Sequence, residues 1–459
     1  MSDLLRALDI ARRALHAQQS VLNTTSNNIA NANTEGYSRQ RVNLSTSSPQ
    51  WSPYGLIGTG VNVDSIERIR DVFVDRQIIN ERQSFKQYEF KSDALQFIEE
   101  IFNEPSDMGL SQMLKEFFAA FHDLANDPDS TAARTVVRER AMMLSSGFKR
   151  LDRQLNDYRT HLNYELQSQV DEVNRIAGEI AHLNEKIVQS EVNGLETPTL
   201  RDSRDRLVDQ LSGLVNIQSN ENEFGAVSVS VGGRFLVVET SAMKLSTNVS
   251  SLNGPGPQVV WEQDGEAANI TNGQMKGILD IRDNNITSYL DQVNQFAVSL
   301  ADSVNNLHRS GYNLNGDTNV DFFKSGITGA ADFDLSADVQ GDVKLIATAD
   351  ATGEPGNNGI ALAIAGLEDA AVMEDGQRSF DDFYSSLIST LGAHTQEAAF
   401  LKDSFELTVN KLEFTRESIS GVSLDEEMTN LIEAQQAYTA AARLVTTIDE
   451  MMQTVLDMV

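Results

Sequence analysis

"LLRALDIARRALHAQQSVLNTTSNNIANANTEGYSRQ", residues 4–40, decides the architecture of this 459-residue chain. Leu4, Leu8, Ala11, Leu15, Gln18, Leu22, Thr25 and Ile29 step by four and three in turn, a heptad stripe thinned by Gln18 and Thr25. The stripe runs into a stretch without charge from Ser26 to Thr34, which holds Asn27, Asn28, Asn31 and Asn33. Asparagine is poor inside helices and strands, but its short amide bonds nearby backbone groups. The pattern predicts a terminal helix that stops here and a chain that then turns outward. Gly36 supplies a positive φ for that turn, and Tyr37 follows it. An ordinary Asn-rich helix end explains the same residues without any special role.

The other end of the chain repeats the pattern. Leu424, Met428, Leu431, Gln435 and Tyr438 share the heptad step, and after one irregular step Ala441, Val445, Ile448, Met452, Val455 and Val459 resume it. Residues 1–32 carry three Arg against two Asp, and residues 421–459 carry seven acids against one Arg. Two amphipathic terminal helices of this kind either pack on a globular core or pair with each other and with other subunits. The opposite charge favours pairing. Leu8, Leu15, Leu22 and Ile29 on one helix, and Leu431, Gln435, Tyr438, Val445, Ile448 and Met452 on the other, are then the candidate interface residues. Narrow seams of this kind stabilise an isolated helix poorly. The expectation is that both ends order only on assembly.

Composition narrows the classes of partner. Thirty-six Lys and Arg against 67 Asp and Glu give a net charge of −31, which excludes phosphate-backbone binding as a main activity and disfavours anionic membranes. There is no cysteine, hence no disulfide and no thiolate chemistry. The N-terminal residues lack the unbroken apolar stretch of a secretory signal, and no apolar run of membrane-spanning length occurs. The reading is a protein that is cytoplasmic, or exported without a cleaved signal peptide.

The middle of the chain is more helix, interrupted by β-rich tracts. Helical spacing covers 85–102 and 107–126, broken by "NEPSD". It then runs over 130–192 almost without a breaker, which at 1.5 Å per residue spans roughly 90 Å. "FGAVSVSVGGRFLVVET" alternates around a Gly-Gly turn and reads as strand–turn–strand, "PQVVWEQDG" adds a strand, and "DVKLIATAD" suggests short strands in a second tract. The expected fold is mainly α with β-rich insertions. A long coiled-coil-like helical bundle is formed by the N- and C-terminal halves, with β-rich outer domains. The expected division is a terminal coiled coil of 1–33 and 424–459. A helical rod-like domain comprises 34–211, 278–312 and 378–423. A β-rich insertion covers 212–277, and a small β-rich outer insertion covers 313–377.

The motifs that would carry chemistry are incomplete. Gly58-Thr59-Gly60 lacks the third glycine of a nucleotide loop and reads as a turn before the strand "VNVDSI". His161 and His182 stand three heptads apart on one helix, too far to share a metal. "NLNGDTNVD", residues 313–321, alternates like a calcium loop, but Thr318 occupies the place of its glycine and Lys324 that of its last carboxylate. No catalytic constellation, cofactor site or metal site is expected.

The run "NNIANANTEGYSR" resembles the N-terminal motif shared by bacterial flagellar rod, hook and hook-associated proteins. The ending "LIEAQQAYTAAARL" followed by "TIDEMMQTVL" looks like the hook-associated protein 1 family, and "TLRDSRDRLVDQLSGLV", "GILDIRDNNI" and "LADSVNNLHRSGYNLNGDTNVDFF" are similar to that family's interior. The resemblance implies a structural, non-enzymatic subunit at the hook–filament junction of the extracellular flagellum, exported by the flagellar type III route. It implies as partners the hook protein, a second junction protein (hook-associated protein 3), further copies in a ring, and an export chaperone on the C-terminal helix. Glu35 departs from the family's frequent proline before the glycine. Another axial protein, a hook or distal-rod subunit, is the nearest alternative. A wall-degrading rod-associated hydrolase is a distant one, for which no separate domain is visible.

Overall fold

The computed structural model describes residues 2–457 apart from 53–54, 194, 249–255, 355 and 375; Val459, the last position of the C-terminal stripe, lies outside the described residues. The chain begins with α1 (Ser2–Ala30), then β1 (Gln40–Thr46), β2 (Gln50–Ser52), β3 (Gly55–Ile57) and β4 (Val61–Arg68). Helices α2 (Val72–Phe102), α3 (Leu110–Asn126), α4 (Thr131–Glu191) and α5 (Pro198–Leu214) follow. The strands β5 (Ile217–Glu221), β6 (Val227–Val231), β7 (Arg234–Val238), β8 (Ser241–Ala242), β9 (Leu245–Asn248) and β10 (Gln258–Trp261) come next. Then α6 (Gln274–Asp280) passes through a π turn into α7 (Ile286–Ser310), and α8 (Ala337–Gly341), α9 (Gly359–Ala365), α10 (Phe380–Ser420) and α11 (Leu424–Asp457) complete the chain.

The 61-residue α4 is the spine. Ser130 caps it, its hydroxyl accepting from the Ala133 amide. Val137, Ala141, Leu144, Phe148, Leu151 and Leu155 recur by three and four and are buried, so one face carries the core. Beside the spine, α2 and α10 lie antiparallel. Arg82 pairs with Glu413, Tyr88 stacks on Phe405 at 5.6 Å, and Lys402 meets Asp93 at 3.6 Å. At one end of the spine a cluster of phenylalanines, among them Phe117, Phe148, Phe322, Phe323 and Phe333, fills the core with rings mostly tilted against one another, Phe322 and Phe323 meeting edge to face. Bundle and insertions together make the chain mainly α.

The β-rich tract after α5 matches its alternation. Strands β5-β6-β7-β8 form one antiparallel sheet, with Gly232 and Gly233 at positive φ in the β6–β7 turn, and β9 pairs with β10. Asparagines on the helices dock the strands. Asn184 accepts from the Val227 amide at 3.1 Å and donates to its carbonyl at 2.8 Å, and Asn174 does the same for Leu245 at 2.8 Å each way. An amide side chain offers one donor edge and one acceptor edge, as a neighbouring strand would.

Two expectations are corrected. Within the tract placed in the helical rod-like domain, the described residues form strands beyond the one expected at 61–66: β1 pairs with β4, and β2 with β3. The tract 313–377 is not β-rich. Its described residues hold α8, α9 and 3-10 turns, with isolated bridges such as Tyr312–Ala349 in place of a ladder. Phe322, Phe323, Phe333 and Ile346 are each buried at separate points, so no face is left for alternation.

Candidate assembly interface

The two ends of the chain meet as α1 and α11, running antiparallel. The C-terminal turns of α1 sit against the first turn of α11, where Asn28 touches Glu427. The fully buried line on α11 is Glu427, Ala434, Ala441 and Ile448, a strict seven-residue step. On α1 the buried residues are Ala11, Ala17, Thr24, Thr25 and Asn28. Small side chains at the heart of the contact let the two backbones approach closely. Leu8, Leu15, Leu22, Ile29, Leu431, Val445 and Met452 flank this line half-buried, and Ile448 is buried. Gln435 is exposed and Tyr438 is 38% exposed, so the first half of the C-terminal seam is displaced by one residue from the expected stripe. The physical reason is that alanine and glutamate, not the larger neighbours, face α1 there.

Both ends are helical and packed on one another within a single chain. Leu5, Leu424, Met428, Ile432, Leu444, Met451 and Leu456 remain exposed on the outside of the pair.

The joint is built around Asn28, 1% exposed. Its amide nitrogen donates to the Gln40 carbonyl at 2.9 Å and to Glu427 Oε2 at 3.0 Å. Its oxygen accepts from the Gln40 amide at 3.0 Å and the Tyr37 hydroxyl at 2.8 Å. All four bonding positions of the side chain are used. Burial first, then the nearby Asp202 and Glu427 carboxylates, push the Tyr37 hydroxyl up to about 12, so it stays a donor. Around Asn28 the other polar residues are local. Asn31 donates to Asn27, Asn27 donates to Tyr37 Oη at 3.3 Å, and Asn33 is exposed. Gly36 takes φ 76° in a turn that the Tyr37 amide closes on the Thr34 carbonyl at 3.1 Å.

Residues 38–40 are clamped from three further sides, by groups that sequence reading missed. Arg39 donates to Glu427 and Glu426 at 2.8 Å each, and its backbone amide donates to the Ser420 carbonyl at the end of α10 at 2.9 Å. Ser38 donates through its amide and hydroxyl to Asp202 on α5, at 3.1 and 2.8 Å. Arg68 bridges Asp202 and Asp205 at 2.9 and 2.7 Å. Burial would raise the Asp205 carboxyl, but Arg204, Arg70 and Arg68 overrule it and hold it at about 2. The joint expected to be uncharged therefore encloses a buried carboxylate, Glu427, 2% exposed and paired with Arg39. The "DEEM" acids in the first turn of α11 were the available signal.

Among the described residues no three His, Asp or Glu side chains are grouped for a metal, and no helix is long and apolar enough to cross a membrane. The arrangement ties the terminal helix pair to α5 and to the end of α10.

Comparison with known proteins agrees over the whole chain. Residues 95–323 match the family described as "Flagellar hook-associated protein FlgK helical domain". Residues 8–37 match "Flagella basal body rod protein", and residues 416–458 match "Flagellar basal body rod FlgEFG protein C-terminal". The chain is 32% identical to flagellar hook-associated protein 1 of Bacillus subtilis, over 100% of this chain and 99% of that protein. It is 26% identical to the protein of the same name from Escherichia coli, over 95% and 96%. A solved structure of the flagellar hook junction protein FlgK from Burkholderia pseudomallei superposes with a TM-score of 0.67 at 14% identity, covering 75% of this chain and 100% of that one, which is a likeness of fold.

Proposed function

This chain belongs to the flagellar hook-associated protein 1 family, and from that premise we propose that it is the structural subunit joining the hook to the filament. The observation that carries the reading is the closure of the two chain ends into one helix pair, locked by Asn28, Glu427 and Arg39. A subunit made this way presents an inner helical layer on a rigid spine, with its sheet insertions outside. The reading has the terminal pairs of several copies packing into a ring, with the exposed apolar flank of α11 covered by a neighbour. The hook protein lies on one side and hook-associated protein 3 on the other. Before export through the flagellar type III route, without a cleaved signal, a chaperone holds α11. The protein works mechanically, without catalysis, cofactor, nucleic acid or membrane.

The test is to image an epitope-tagged chain on purified flagella. A single band between hook and filament is expected. Label along the hook or the distal rod would favour the other axial reading, which the two end matches by themselves also fit.

A further inference from the structure

Residues 312–349 leave the end of α7 and return to the same point. The Tyr312 amide donates to the Ala349 carbonyl at 2.8 Å, and the Thr348 amide donates back to the Tyr312 carbonyl at 3.2 Å. Between these ends the chain lays three buried rings on the helices. Phe322 packs on Phe117 and Phe121 of α3 at 5.9 and 5.4 Å, Phe323 on Phe117 at 5.8 Å, and Phe333 on Phe148 of α4 at 4.6 Å.

Two basic side chains hold the returning end, and both are fully buried. Arg134 of α4 donates to the Ile346 carbonyl and, at 2.9 Å, to the Thr348 hydroxyl. Between these two residues the Ala347 amide donates to His308 Nε2 at 2.8 Å. The other ring nitrogen, Nδ1, stands 2.7 Å from the Val320 carbonyl. The proton of the neutral ring therefore sits on Nδ1, and Nε2 is a bare acceptor. Asp321 faces the ring from the excursion but is paired with Arg309. From α4 the ring faces the cation of Arg134, on which Asp129 is the acid that acts.

We propose that residues 312–349 are a unit that lets go of the spine in mild acid while the spine stays folded, with His308 as the group that senses the pH. A proton on Nε2 turns the acceptor into a donor that meets the Ala347 amide head on. It also sets a second buried cation beside Arg134, which grips the residues on either side of Ala347. Both effects fall on residues 346–348, and Asp321 is already committed to Arg309. Burial holds the closed ring down at about 4, against 6.5 in the open chain, so opening gains as the pH falls from 6.5 toward 4. Between pH 7 and pH 5 the opening equilibrium rises roughly 20-fold. Most carboxylates titrate below that window. Opening uncovers Phe117, Phe121 and Phe148, the rings that the closed excursion covers.

Hydrogen exchange of the full chain at pH 7 and pH 5, corrected for the intrinsic effect of pH on exchange, tests this. The amides of 320–323 and 346–349 are expected to lose protection roughly 20-fold at pH 5, while those of 137–155 in α4 keep theirs. Binding of an apolar dye should rise in step. In His308→Gln the side-chain amide offers one donor and one acceptor edge and takes no proton, so protection of the excursion should be the same at both pH values. Equal loss of protection in 137–155, or opening of His308→Gln to the same extent as the natural chain, overturns the proposal. A second measurement needs no variant. The His308 ring, followed by NMR in the natural chain, is expected to stay neutral at pH 5 in the closed molecule. A ring that takes up its proton there with protection of 346–349 unchanged overturns the proposal as well.

Discussion

Asn28 and Glu427, 399 positions apart, share a hydrogen bond of 3.0 Å that ties the first helix of the chain to the last. The bond turns two helices of modest intrinsic stability into one unit, and Tyr37, Arg39 and Gln40 are drawn into it. Asn28→Asp would set a carboxylate oxygen against the Gln40 carbonyl and Glu427. Each buried group left unpaired costs about 1–3 kcal/mol. The expected outcome is a terminal pair that is digested readily by protease at pH 7, with the spine intact; unchanged protection of residues 1–38 and 421–457 would refute it.

Glu35 occupies the second place of a turn from Thr34 to Tyr37 in which Gly36 has φ 76°, and no backbone hydrogen bond uses the Glu35 amide. That is the pattern in which proline is favoured second. Glu35→Pro should stabilise the joint by about 0.4–1 kcal/mol, by restricting the unfolded chain. Thermal melting followed at the terminal pair checks this, and a lowered midpoint would show that the turn needs another φ.

The helices were legible because their burial is one-sided. The stripe on α4 alone placed a helix at 130–192, against Thr131–Glu191 observed. The start of α2 at Val72 was not legible, because α2 packs against α10, α5 and α6 at once and no single stripe survives. "DVKLIATAD" alternates well enough for a strand, yet a strand exists only where a ladder partner stands, and here Ile346 and Ala347 are buried beside a 3-10 turn. The Asn-rich joint was legible as a turn. Its hub was not, since nothing local to Asn28 points to Glu427.

His308 is a buried imidazole held between the Val320 carbonyl at 2.7 Å and the Ala347 amide at 2.8 Å. Burial, above all, pulls its pKa from 6.5 down to about 4. A depressed histidine keeps its stability contribution above pH 6.5 and loses it as pH falls toward 4, because the unfolded chain takes up the proton first. The full shift corresponds to about 3 kcal/mol at roughly 1.4 kcal/mol per pH unit. His308→Gln should therefore flatten the loss of stability between pH 7 and pH 5 in denaturant titrations. Parallel slopes for the two proteins would contradict the assignment.

The 313–321 loop should bind no calcium. The Asn313 side-chain oxygen already accepts from the Asn315 and Asp317 amides at 2.9 Å each, and Asp321 pairs with Arg309. A cation would have to break these bonds, with Lys324 opposing it where calcium loops place a carboxylate. Isothermal titration is expected to show dilution heat only; a micromolar site would disprove this.

The last prediction separates folding from assembly on α11. Ile448 is 5% exposed against α1, whereas Leu444 and Met451, one heptad apart beside it, are 57% and 45% exposed. Leu431, half-buried inside the pair, reports on both processes and cannot separate them. Ile448→Asp buries an unpaired charge, a cost of several kcal/mol, and should loosen the terminal pair as well as abolish assembly. Leu444 is 57% exposed, so Leu444→Asp should leave monomer stability within about 0.5 kcal/mol, as for an ordinary surface change. If a neighbouring helix covers this flank in the ring, Leu444→Asp still fails to join hook and filament, and flagellin is shed into the medium. Normal filaments on cells carrying Leu444→Asp would mean that the flank faces open solvent in the flagellum and that the ring is held elsewhere.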